Sequence, residues 1–118
     1  MPLDVGDIHW AELDGFRGTE QGGRRPVLIV SQSFYNVRSS RVIVCPISTR
    51  SRGWKTEIAL PGSLAVTGVV LADQIRALDR STRIFDFIDA LPESHMGIVR
   101  QVLALLLGIM PPAPEAAG

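Results

Sequence analysis

The runs Pro26-Val-Leu-Ile-Val-Ser31 and Arg41-Val-Ile-Val-Cys-Pro-Ile47 decide the fold class. Each is too short for a helix of ordinary length and is rich in β-branched side chains, whose stiff χ1 suits a pleated surface. Both are therefore predicted as buried strands. Pro26 opens the first run, where a missing N–H removes no ladder bond. Between the runs, Ser31 to Asn36 fits one helical turn.

Towards the N-terminus, Ile8, Trp10 and Leu13 nearly alternate with His9, Ala11 and Glu12. This predicts a first strand, begun by Gly6-Asp7 and half exposed on one face. Asp14 to Gly23 carries Gly15, Gly18, Gly22 and Gly23 among Thr19, Glu20 and Gln21, the composition of a mobile polar loop. Towards the C-terminus, Thr56-Glu-Ile-Ala-Leu60 reads as a fourth strand after a basic loop, Ser48 to Lys55, and Thr67-Gly-Val-Val-Leu-Ala72 as a fifth. Asp73 to Leu78 is expected to continue as a further strand after a bend. Pro92 in a first helical turn, Glu93 beside it, and Ile98, Val99, Val102, Leu103, Leu105, Leu106 and Ile109 at helical spacing predict one C-terminal helix, with Ser94 or Asp89 as a capping side chain. Five or six strands and one terminal helix imply a mainly β fold: a small curled sheet or open barrel of the SH3-like class, with the helix packed on it.

The chain has 118 residues, 46% of them hydrophobic and 20% charged, which is enough for one core and excludes global disorder. Residues 1–110 are expected as one domain and the proline-rich 111–118 as a disordered tail. The longest apolar run, Val102 to Met110, falls short of the roughly 20 residues that cross a membrane. The start, with Asp4 and Asp7, lacks the features of a secretory signal, and a cytoplasmic location is expected. Cys45 is the one cysteine, so no disulfide forms within the chain, and its apolar neighbours suit a small buried thiol better than a nucleophile.

A formal net charge of zero hides a partition. Residues 17–83 hold eleven Lys and Arg against the four acids Glu20, Glu57, Asp73 and Asp79, a surplus of seven, and both ends are acidic. Because charges beyond about 10 Å are screened at 0.1 M salt, this middle can attract a polyanion locally despite overall neutrality.

Arg24-Arg25-Pro26 closes the glycine-rich loop, so Arg25 is followed by a residue whose own φ is locked and is itself biased towards extended backbone. A guanidinium offers a planar fork of donors to phosphate oxygens and suits charge stabilisation at a reacting phosphate. The plainer alternative is a surface pair between Arg25 and Glu20. Ser48 and Thr49 end the third strand, where hydroxyls can donate to an oxyanion or simply form a turn. Arg50, Arg52 and Lys55 surround Trp54, combining cations for a phosphate backbone with a flat face for an unstacked base. The alternative is that Trp54 folds back onto the barrel. Asp73-Gln74 at a strand end offers a carboxylate and an amide to base edges. His9 and His95 have no metal-ligand spacing with Cys45, and no phosphate loop, nucleophile elbow or carboxylate cluster is present, so no metal or nucleotide cofactor is supported.

The segments Gly6-Asp7-Ile8-His9-Trp10, Gly18 to Val30, Cys45-Pro-Ile-Ser-Thr49 and Val70-Leu-Ala-Asp-Gln-Ile-Arg76 resemble the MazF/PemK toxin family in order and spacing, over about residues 5–110. The resemblance implies an SH3-like barrel, a homodimer, and a metal-independent endoribonuclease of a type II toxin-antitoxin module. It also implies cleavage of single-stranded RNA at short motifs, leaving 2′,3′-cyclic phosphate and 5′-hydroxyl ends, and restraint by a cognate antitoxin. Carried over singly, Arg25 matches the arginine before proline assigned to acid/base work or charge stabilisation. Ser48 stands where relatives usually have threonine, with Thr49 next door as the other possible hydroxyl. Glu20 is implied as a group that orients Arg25 or accepts a proton, Gln21 belongs to the same loop motif, and Asp73-Gln74 match a second motif near the groove. Some relatives have an arginine two residues before the matching aspartate, but this chain has Leu71 there, which weakens a mechanism centred on Asp73. The rival readings are a toxin of the same barrel that poisons a protein target such as gyrase, as the related CcdB group does through a C-terminal Trp-Gly-Ile, and an inactive binding module. This chain ends in Pro-Glu-Ala-Ala-Gly and keeps Arg25 and Ser48, which favours the nuclease.

Overall fold

The computed structural model describes residues 3–13 and 23–111. Its elements run β1 (Asp7–Ala11), β2 (Arg25–Ile29), α1 (Ser33–Asn36), β3 (Arg41–Ser48), β4 (Glu57–Ala59), β5 (Val69–Leu71), a 3₁₀ turn (Ala72–Gln74), β6 (Arg76–Asp79), α2 (Arg80–Arg83), β7 (Ile84–Ala90) and α3 (Glu93–Leu106). The mainly β class and the single C-terminal helix of the sequence reading hold. Seven strands form one antiparallel sheet in the order β4-β5-β3-β2-β1-β7, with β6 paired to β3 off this path.

β3 is the hub because its two halves have different neighbours. β2 lies along one edge; on the other, Arg41 to Val44 pair with β6, whereas Ile47 and Ser48 pair with β5. The sheet must therefore curl, and the chain crosses from β5 to β6 through the 3₁₀ turn that carries Asp73 and Gln74. The strand order does not return to its start, so the SH3-like barrel is open.

The run read as buried is buried on both faces. Leu28, Cys45 and Ile47 join Ile8, Val70, Met96 and Val99 in one cluster, while Val27, Ile29, Val42 and Val44 join Ala11 and Leu78 in another. Each such Val, Leu or Ile contributes about 1.5–3 kcal/mol by leaving water. Met96 and Val99 are the buried residues of α3, which fixes the helix on the first cluster. The Cys45 thiol is buried and pushed up to about 12, chiefly by desolvation and secondly by the Asp73 charge, so at neutral pH it is a packed thiol rather than a nucleophile.

Several expectations need correction. Along β1 the inside and outside positions are not those of the apolar alternation: Ile8, His9 and Ala11 are buried and Trp10 is 40% exposed. The reason is that both faces of β1 are covered: Ile8 packs into the first cluster and Ala11 into the second, while Trp10, near the strand's end, borders an open cavity. His9 is accommodated by a 2.9 Å hydrogen bond between Nδ1 and the Phe85 carbonyl and by an edge-on contact with Phe87. Asp73-Gln74 is a turn, not strand, and β6 begins only at Arg76. Neither Ser94 nor Asp89 caps α3; Pro92 is its N-cap without a side-chain bond, and Asp89 accepts from the Ala65 N–H at 2.9 Å. The helix ends before Ile109 because Gly108, at φ +75°, turns the chain so that the Ile109 and Met110 N–H groups both reach the Ala104 carbonyl. The glycine-rich loop with Glu20 and Gln21, and the tail beyond Pro111, lie outside the described residues.

Candidate functional site

The strand register assembles the site. β2 and β3 pair Val27 with Pro46 and Leu28 with Cys45. Arg25 and Ser48 each lie two residues beyond the Val27–Pro46 pair, one as the first residue of its strand and the other as the last of its own. Arg25, Ser48, Thr49 and Arg50 accordingly line one cavity of about 640 Å³, walled by Trp10, Pro26, Leu71 and Gln74 among others. Two residues 23 positions apart in sequence meet here because both strands end at the same rim.

The two hydroxyls are engaged differently. Ser48 Oγ accepts from the Arg50 N–H at 3.0 Å and donates to the Arg50 carbonyl at 3.3 Å, which pins the start of the basic loop. Thr49 is exposed on the same cavity. The backbone beneath them is pressed by Gly68, whose φ is +128°; a Cβ built there would stand 2.2 Å from the Ser48 carbonyl oxygen. Only glycine fits a backbone that approaches this closely in that conformation.

A second cavity of about 300 Å³ shares Ser48, Arg50, Leu71 and Gln74 with the first and adds Ser51, Arg52, Trp54, Glu57 and Asp73. Trp54 does not fold back: it is 52% exposed, and the Arg52 guanidinium carbon lies 5.2 Å from its ring centroid. The loop is shaped by Glu57, which the sequence reading treats only as part of the charge balance. Its carboxylate accepts from Ser51 Oγ at 2.7 Å and from the N–H groups of Arg52 and Gly53 at 3.1 and 3.2 Å. These bonds, the Ser51 one foremost, hold its carboxyl below the usual carboxylate range. The sequence signal for this role is a lone acid six residues after Ser51 in an otherwise basic stretch.

Of the residues singled out from the sequence, the structure brings together Arg25, Ser48, Thr49, Arg50, Arg52, Trp54, Asp73 and Gln74 along two adjoining cavities. Arg24 is not among them: it precedes β2, and its guanidinium stacks 3.7 Å from the Phe85 ring centroid. Lys55 is exposed in the loop but lines neither cavity. Glu20 and Gln21 lie outside the described residues. Trp10, Glu57 and Gly68 are site residues that the sequence reading did not single out. Among the described residues no three His, Cys, Asp or Glu side chains group closely enough to hold a metal ion, and no helix is long and apolar enough to cross a membrane.

Comparison with known proteins gives one answer. The family model described as PemK-like, MazF-like toxin of type II toxin-antitoxin system matches residues 4–107. Endoribonuclease MazF of Staphylococcus saprophyticus is 34% identical over 109 residues, covering 88% of this chain and 90% of that protein. Among solved structures, MazF (Form-I) from Deinococcus radiodurans matches with a TM-score of 0.80 and 39% identity, over 92% of this chain and 98% of that one. MazF in the MazE-MazF (Form-II) structure from the same organism matches with a TM-score of 0.79 and 35% identity, over 92% and 97%. With nearly the whole described fold matched, the chain belongs to the PemK-like, MazF-like family of type II toxin-antitoxin toxins.

Proposed function

We propose that this chain is the toxin of a type II toxin-antitoxin module, an endoribonuclease that cuts single-stranded RNA at short motifs, stops translation and arrests growth. The observation that carries the reading is that Arg25, Ser48 and Thr49 line one cavity, which shares Ser48, Arg50, Leu71 and Gln74 with the cavity of Trp54 and Arg52. A scissile phosphate at the first cavity takes the Arg25 fork on its non-bridging oxygens, and the hydroxyl of Ser48 or Thr49 donates to the same phosphate. The ribose 2′-oxygen attacks phosphorus and gives up its proton, the bond to the 5′-oxygen breaks, and that oxygen is protonated. The products are a 2′,3′-cyclic phosphate and a 5′-hydroxyl. Glu20 is the proposed partner of Arg25 or acceptor of the 2′-proton. The second cavity takes a flanking base on Trp54, a contact worth about 1–3 kcal/mol, with Gln21, Arg50, Arg52, Lys55, Asp73 and Gln74 as proposed contacts to the strand, while Arg24, stacked on Phe85, drops out of this set. Charge stabilisation falls to side chains here, so a chelator is expected to leave the reaction intact.

A cytoplasmic homodimer held in check by a cognate antitoxin completes the proposal. The MazE-MazF structure of the Deinococcus relative supports such a partner, and an acidic segment laid over the basic loop would exclude RNA. The gyrase-poison alternative has no support from the relatives found, which are named endoribonucleases. The test is to incubate the purified chain with a long RNA and EDTA and to map the cut ends. Cuts at a recurrent short motif with cyclic phosphate termini are expected; intact RNA would overturn the reading.

A further inference from the structure

We propose that Glu57 is a positioning residue that holds the Ser51–Trp54 loop in its base-binding shape and so sets which RNA motif is cut. The inference rests on the nuclease reading and deepens it.

A short surface loop carrying Arg50, Arg52 and Lys55 is expected to splay by like-charge repulsion, and nothing apolar inside it provides a core. This loop is instead wrapped round one carboxylate. Glu57 Oε1 accepts three hydrogen bonds, from Ser51 Oγ, the Arg52 N–H and the Gly53 N–H, and Oε2 lies 3.1 Å from the Arg52 nitrogen. Ser51 Oγ in turn accepts from the Gly53 N–H at 3.1 Å, and the Glu57 N–H closes the turn on the Trp54 carbonyl at 3.1 Å. Gly53 adopts φ +74°, the left-handed conformation that lets successive N–H groups converge on one anion. β4 presents this carboxylate, and β4 is anchored by pairing with β5 and by buried Ile58, so the loop is tied to the rigid sheet.

The consequence falls on the two side chains that face a base. With residues 51–53 fixed, the Arg52 guanidinium lies 5.2 Å from the Trp54 ring centroid, and both line the second cavity together with Asp73 and Gln74. Stacking alone tolerates any base. Discrimination needs edge contacts at a set distance from the stacking face, and that distance is fixed only while the loop is. Glu57 does not line the cavity that holds Arg25 and Thr49, so its effect on chemistry is indirect.

The experiment compares the unsubstituted chain with Glu57→Ala, Glu57→Gln and Ser51→Ala. Cut sites are mapped on a long RNA with EDTA, and kcat and KM are measured on an oligonucleotide bearing the mapped motif. Glu57→Ala is expected to raise KM about tenfold, the scale of ordering one or two freed side chains on binding, and to cut at sites outside the original motif. Its kcat and thermal midpoint should stay near the original. Glu57→Gln keeps an acceptor oxygen and is expected to recover most of the motif preference. An unchanged motif and KM in Glu57→Ala would overturn the inference, as would a loss confined to kcat and folded fraction. Should Glu57→Ala fail to fold, Ser51→Ala decides: a smaller shift in the same direction supports the inference, and none overturns it. Absence of any cleavage by the unsubstituted chain would overturn the nuclease reading and this inference with it; normal cleavage with an insensitive motif would overturn this inference alone.

Discussion

Arg25→Ala is expected to lower the rate of RNA cleavage by about 10²–10³-fold, the loss seen when one preorganised donor to a developing oxyanion is removed. Arg25 begins β2, its exposed side chain borders the cavity shared with Ser48 and Thr49, and its backbone is held by pairing to Ala11 in β1. Pro26 is fixed against Trp10 on the same pairing, so the guanidinium is delivered by a rigid strand rather than by the loop before it. Truncating an exposed side chain away from the core changes stability by about 0.5 kcal/mol or less, so the variant should melt with the original. Arg25→Lys keeps the charge and loses the fork, and is expected to recover only part of the rate. Single-turnover cleavage of a motif oligonucleotide, alongside thermal melting, checks this; an Ala variant of undiminished rate would remove Arg25 from the mechanism.

Gly68→Ala is expected to be the most damaging single methyl addition to the described fold. The new Cβ would lie 2.2 Å from the Ser48 carbonyl oxygen and 2.9 Å from its carbonyl carbon, at a φ of +128° that side chains rarely adopt. Backbone strain of this kind costs about 1–3 kcal/mol, and forcing atoms into packed space costs about 1–3 kcal/mol more. At about 4 °C per kcal/mol for a domain near this size, the melting midpoint should fall by about 10 °C or more. Relief comes only by moving Ser48 and Thr49, so cleavage should fall even well below the new midpoint. Gly97→Ala is the control: nothing lies within 4 Å of its added Cβ, and α3 gains a better helix former, worth up to about 1 kcal/mol. Melting curves and rates for both variants check the pair; a Gly68→Ala chain with original stability would contradict a stabilising role for the close approach to Ser48.

What the sequence made legible follows from how each feature is encoded. β2, β3 and α3 are long or strongly patterned and buried, so composition and period reveal them directly. β7 escapes the strand reading because it is an edge strand interrupted by Asp86 and Asp89 and mispaired in register against β1. α2 escapes because four residues carry no period; it is held by Asp79, whose carboxylate accepts from the Thr82 N–H at 3.0 Å. The burial of His9 and exposure of Trp10 arise because a second cluster covers the other face of β1, which no single strand announces. At the site, Arg25, Ser48 and Trp54 are visible as residue types beside recognisable strand ends. Their convergence is a property of the β2–β3 register, which depends on the pairing of distant segments. Glu57 and Gly68 were hidden for another reason: each acts on backbone, one by gathering N–H groups and one by lacking a side chain, and neither function has a residue-type signature.

The most direct test of the account uses one oligoribonucleotide carrying the mapped motif, with EDTA throughout, and its twin bearing a single 2′-deoxy sugar on the 5′ side of the scissile phosphate. The account predicts that the first is cut to a cyclic phosphate, while the twin stays whole yet competes for binding through Trp54 and the surrounding arginines. Equal cleavage of the twin, or cleavage of the first only after a divalent metal is restored, would contradict it.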